Sequence, residues 1–92
     1  MGQEREISFG ESKKCVLALG DGTAKPTLGS ELILSTYPVR GLSQGELSIL
    51  VTRTAAPAIV RVEISDEGTH LQSAELEQIR KAAEGIFRGQ VG

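Results

Sequence analysis

Ninety-two residues make one domain, near the small end of what folds without a metal or a disulfide framework. The single cysteine excludes an internal disulfide and fits a reducing compartment. Ten Lys and Arg stand against twelve Asp and Glu, without the basic excess that draws a chain nonspecifically to nucleic acid or to an anionic membrane.

The opening stretch, Met1–Glu6, is charged and lacks the apolar segment of a signal peptide. No apolar run approaches the ~20 residues that span a bilayer, so the sequence reads as cytosolic. There is no Trp, one Tyr and two Phe, which leaves Leu, Ile, Val and Ala to build the core. Such a core predicts modest stability and a contribution from an oligomer interface.

In chain order, Glu6–Phe9 is a short edge strand with Ile7 and Phe9 on one side. After a turn at Gly10-Glu11-Ser12, Lys14–Leu19 alternates, with Cys15, Leu17 and Leu19 on one face and Lys14, Val16 and Ala18 on the other. This places the Cys15 thiol inside, as a small inert hydrophobe. Gly20-Asp21-Gly22 is a turn signal, and Thr23–Gly29, with Pro26 and no apolar period, reads as a loop. Glu31–Tyr37 is the next strand, with Leu32 and Leu34 toward the core, Ile33, Ser35 and Tyr37 opposite, and Pro38 as its end.

A loop bracketed by Gly41 and Gly45 leads to the clearest pattern in the chain. In Glu46–Arg53, Leu47, Ile49 and Val51 share a face opposite Ser48, Leu50 and Thr52. In Ala58–Ser65, Val60, Val62 and Ile64 share a face opposite Ile59, Arg61 and Glu63. The tight Thr54-Ala55-Ala56-Pro57 joins the two. A helix follows over Ala74–Arg88, with Ser73 as N-cap and Glu75 suiting the positive end of the dipole. Leu76, Ile79, Ala83, Ile86 and Phe87 form its apolar stripe.

Strands first and a helix last predict one α+β domain in two layers, a mainly antiparallel sheet of four to five strands with the C-terminal helix on one face. Leu17, Leu19, Leu32, Leu34, Leu47, Ile49, Val51, Val60, Val62 and Ile64 supply the sheet's half of the core. The second face would then carry Val16, Ala18, Ile33, Tyr37, Leu50 and Ile59 beside Arg61 and Glu63. That is more apolar surface than an open sheet usually shows to water. Either the sheet curls or a second copy covers it.

Gly41-Leu42-Ser43-Gln44-Gly45 fits the G-x-S-x-G spacing of a nucleophile elbow, and Asp66 and His70 follow in hydrolase order. That elbow needs a helix after the serine, whereas a strand pattern follows here, so the motif reads as a glycine-rich turn and no catalytic residue is expected. With one His and one Cys there is no ligand set for zinc, and no metal or cofactor is expected. Asp66-Glu67-Gly68 lacks the acidic series of a calcium loop, and Gly20-Asp21-Gly22 lacks the third glycine of a phosphate loop.

These observations point to a non-enzymatic interaction or regulatory module that forms a homodimer or binds another protein. Tyr37, Arg40, Leu50, Arg53, Ile59 and Arg61, with the Asp21–Gly29 and Pro38–Gly45 loops, are the candidate contact residues. The alternative is nucleic-acid binding through a sheet-borne patch of Arg40, Arg53 and Arg61, although only Tyr37 could stack on a base. A second alternative is a hydrolase-like or ligand-binding site at Ser43, Asp66 and His70.

Overall fold

The computed structural model describes residues 3–26, 32–54 and 59–91. Six strands and one helix follow in order: β1 (Glu4–Phe9), β2 (Lys13–Ala18), β3 (Thr23–Pro26), β4 (Ile33–Arg40), β5 (Glu46–Arg53), β6 (Val60–Glu67) and α1 (Ser73–Val91), with a short 3-10 turn at Leu19–Asp21. All strand pairs are antiparallel, in the order β1-β2-β4-β5-β6, and β3 pairs with β4 beside β2. The result is a two-layer α+β fold.

β5 forms over the residues its alternation predicts, and Leu47, Ile49 and Val51 are buried toward the helix. From β6, Val62 is buried, while Val60 and Ile64 pack at the margin of the same core. On α1, Ile79, Ala83 and Phe87 have no exposed surface, and Leu76, Ala82 and Ile86 flank them. The helix starts one residue earlier than its serine suggested. The Leu76 N–H donates to the Gln72 carbonyl at 3.0 Å, and the Gln72 N–H donates to Glu75 Oε1 at 3.0 Å. Gln72 therefore holds the cap position, with Glu75 reaching back to it as in a capping box.

β4 departs from expectation in parity and in length. Ser35 pairs with Val51, Tyr37 with Ile49 and Val39 with Leu47, so these odd residues face the helix. Leu34, placed in the core by its hydropathy, lies on the other face at 39% exposed. Tyr37 is drawn inward because a ring-sized slot awaits it. Its ring centroid lies 4.7 Å from that of Phe87, and a Cβ on Gly22 would stand 2.3 Å from its Cε2.

Nor does Pro38 end the strand. It sits where the neighbour of β4 changes from β3, paired at residues 33–36, to β2, paired at residues 39–40. The ladder is already interrupted there, so a missing N–H is tolerated. β3 replaces part of the loop expected over Thr23–Gly29. Residues 27–31 and 55–58, which include the rest of that loop and most of the turn before β6, lie outside the described residues.

Helix α1 packs on β6 and also on β1, the two ends of the strand order. The sheet thus curls around the helix. Ile7, Phe9, Cys15 and Leu17 complete the core from the β1–β2 side. Burial pushes the Cys15 thiol up to about 11, consistent with an inert packed group.

Candidate functional site

The six candidate contact residues divide between the two faces. Tyr37 and Arg53 lie on the helix side, where the Arg53 guanidinium stands 5.7 Å from the centroid of the buried Phe87 ring. Arg53 Nε is buried with no hydrogen-bond partner among the described residues. Arg40, Leu50 and Arg61 lie on the outer face, and Ile59 is 53% exposed just ahead of β6. Arg40 makes an ion pair with Asp21 at 2.6 Å. The three arginines expected to share one patch are therefore split, and the only tyrosine is half-buried against the core on the helix side.

Cross-strand partners share a face, so the register defines the outer surface row by row. Leu34, Thr52 and Arg61 form one row; Thr36, Leu50 and Glu63 form the next; Pro38, Ser48 and Ser65 form the third. The helix lies on the other side, and among the described residues no second layer covers these rows.

A second feature occupies one end of the molecule. Antiparallel pairing brings together the β1–β2 turn, the β4–β5 loop and the loop between β6 and α1. Every described residue with positive φ lies in these three connections, including the non-glycine residues Ser12 (58°) and His70 (60°). The β4–β5 loop and the loop before α1 touch through main chain. A Cβ on Gly45 would lie 2.4 Å from the Gly68 carbonyl carbon, and Gln44 Nε2 donates to the Thr69 carbonyl at 3.5 Å.

Between them lies a pocket of about 260 Å³. Its apolar wall is Phe9, Leu42 and Leu71; Ser43, Gln44 and Thr69 supply polar groups, and Lys13 and Lys14 the charge. Lys13 Nζ donates to Glu75 Oε2 at 2.7 Å, and the Gly10 N–H donates to Gln78 Oε1 at 2.8 Å, which fastens the β1–β2 turn to the helix. The Lys13 hydrogen bond, aided by the Gln72 N–H, holds the Glu75 carboxyl below its ordinary range.

The Ser43, Asp66 and His70 side chains form no triad. Asp66 Oδ1 accepts from the Thr69 N–H at 3.1 Å and also from the Thr69 hydroxyl, closing the turn that follows β6. Among the described residues no hydrogen bond links Asp66 to His70 or His70 to Ser43. His70 is exposed, while Ser43 lines the pocket. No cluster of three or more metal-ligating side chains occurs among the described residues, and none of their helices is long and apolar enough to cross a membrane.

Sequence reasoning singled out the Gly41–Gly45 loop but missed Phe9, Lys13, Thr69 and Leu71 beside it. The available signal was topological. In an antiparallel meander alternate connections fall at the same end, and Gly10, Gly45 and Gly68 mark three such connections. No family model, curated protein or solved structure matches this chain.

Proposed function

We propose that the protein is a non-enzymatic interaction module whose partner is a second copy of itself, docked through the outer face of the sheet. The observation that carries this reading is the self-complementary pattern of that face. A two-fold axis running across the strands at the level of Val62 would lay the row Leu34, Thr52, Arg61 of one copy over the row Thr36, Leu50, Glu63 of the other. Each leucine then meets a threonine and each arginine a glutamate, as an isologous contact requires.

The eight-residue strands β4, β5 and β6 are about 27 Å long, the six-residue β1 and β2 about 20 Å, and the five strands in line span about 19 Å. That footprint of about 500 Å² is small beside the ~800 Å² per partner of standard interfaces. The curl of the sheet further concentrates contact on β4 and β5. The dimer is accordingly expected to be weak, with a dissociation constant in the micromolar range.

Sedimentation velocity over a concentration series tests the reading. Wild type should pass from monomer to dimer, and Leu50→Glu should remain monomeric. Glu63→Arg should weaken the dimer, and the swap Arg61→Glu/Glu63→Arg should restore it. A wild type that stays monomeric at high micromolar concentration refutes the proposal. A shift seen only with RNA at low salt would favour the nucleic-acid alternative instead.

A further inference from the structure

We infer that the pocket at the loop end is a binding site for a small organic carboxylate, its charged head beside Lys14 and its apolar body against Phe9, Leu42 and Leu71. This site lies away from the central rows of the outer face and is independent of the dimer.

Charge argues first. The chain carries a net charge of −2, yet the charged residues lining this pocket are Lys13 and Lys14. Lys13 is engaged by Glu75 at 2.7 Å, which leaves its neighbour as the main attraction for an anion. Lys14 has only a loose pair with Glu6 at 3.6 Å, both side chains more than 60% exposed. One available cation matches a monoanion. An arginine fork, which would suit a phosphate better, does not line the pocket among the described residues.

Shape and backbone argue next. Pairing between β2 and β4 covers only Val16–Arg40 and Leu17–Val39, because β4 ends where the chain turns at Gly41. The first half of β2 therefore has no strand on that flank, and the pocket opens beside it. Ser43 contributes a hydroxyl with no hydrogen-bond partner among the described residues. The surrounding connections hold Ser12 and His70 in the left-handed region, the kind of local strain that gathers at binding sites. At about 260 Å³ the cavity lies below the ~300–1,000 Å³ range of drug-sized ligands and suits a fragment-sized one. The main-chain contact between Gly45 and Gly68 holds two of its walls in register without a ligand.

The test is an amide chemical-shift titration of the labelled protein with sodium benzoate, with benzamide and inorganic phosphate as parallel probes at constant ionic strength. Benzoate should give saturable shifts at Lys13, Lys14, Leu42, Ser43 and Gln44, and benzamide should bind more weakly. Lys14→Ala should reduce benzoate affinity about tenfold, as expected for loss of one charge-assisted contact, and Lys14→Arg should recover it. Lys14 is chosen because it is exposed and does not tie the helix to the sheet, and an unchanged melting temperature checks that the variant folds. The inference is overturned by absence of saturation at millimolar benzoate, or by equal binding of benzamide. It is equally overturned by phosphate binding as tightly as benzoate, or by unchanged affinity in a folded Lys14→Ala.

Discussion

Replacing Gly45 with alanine tests whether the main-chain contact between the β4–β5 loop and the loop before α1 organises that end of the molecule. Gly45 has φ +73°, and a Cβ there would lie 2.4 Å from the Gly68 carbonyl carbon and the Thr69 nitrogen. The left-handed conformation costs a non-glycine residue about 1–2 kcal/mol. The clash is with backbone, which no rotamer change relieves, and forced displacement of packed groups typically costs a further ~1–3 kcal/mol. The expected loss is about 3 kcal/mol, which for a domain of this size lowers the melting temperature by roughly 12–24 °C.

Gly41→Ala is the internal control. Its φ is +86°, but its Cβ would meet only Cys15 Cα at 3.7 Å and Val16 N at 3.8 Å, ordinary contact distances. It should pay the conformational term alone, about 1–2 kcal/mol. Guanidinium unfolding of both variants, read by circular dichroism, separates the two terms. Equal destabilisation by the two substitutions would show that the Gly45–Gly68 contact contributes nothing and would remove the argument for a preformed pocket wall.

Acid stability should depend on Glu75. Its carboxyl titrates below its ordinary value near 4.5 in the folded chain, chiefly through the Lys13 hydrogen bond. Its contribution is therefore complete above pH 4.5 and lost as pH falls through the lower folded value. Stability of Glu75→Gln should fall less steeply below pH 4.5 than that of wild type; parallel acid limbs would contradict this. Cys15, buried and with its thiol pushed up to about 11, should react with a disulfide reagent at pH 8 only as fast as the domain opens. Rapid stoichiometric labelling of the native protein would contradict its placement. Arg80 Nη1 donates to the Val62 carbonyl at 3.4 Å while Glu77 and Glu84 flank the guanidinium, so this side chain covers the open edge of β6. Arg80→Ala in the Leu50→Glu background should restore self-association through that edge, and a strictly monomeric double variant in sedimentation would refute the guarding role.

The elements most legible in the sequence were those where hydropathy and strand period agree. β5 alternates Leu47, Ile49 and Val51 with Ser48 and Thr52, and nothing competes with that pattern. In β4 two signals conflicted. Taking Pro38 as a stop removed Val39 from view and left Leu32 and Leu34 as the apparent core face. With Val39 included, residues 35, 37 and 39 become the inward set, and the slot made by Phe87 and Gly22 decides for Tyr37 over Leu34. β3, Thr-Ala-Lys-Pro, has no apolar period, and its ladder partner among the described residues is β4. On the outer face Leu50 and Arg61 were placed correctly because β5 and β6 have clean alternation. Arg53 is grouped with Arg61 because the two sit on neighbouring strands, yet its parity is that of Leu47, Ile49 and Val51, and its guanidinium stands over the Phe87 ring on the helix side. The pocket was half legible: the glycine loop stands out in the sequence, but its meeting with Thr69 and Lys13 is a product of topology.

The narrow seam between β2 and β4 gives the molecule an uneven mechanical build. Seven residue pairs join β4 to β5 and eight join β5 to β6, whereas two join the β1–β2 hairpin to β4. What closes the hairpin on the rest is the helix, through Lys13 with Glu75, Gly10 with Gln78 and the packing of Ile7 and Phe9. The helix thus works as a clasp between the two ends of a curled sheet. Opening the clasp would release the hairpin as one cooperative unit, with its amides exchanging together before those of the β4–β5–β6 meander. The pocket is built where that hairpin meets the meander, so a ligand seated there would latch the looser part of the molecule to the firmer one.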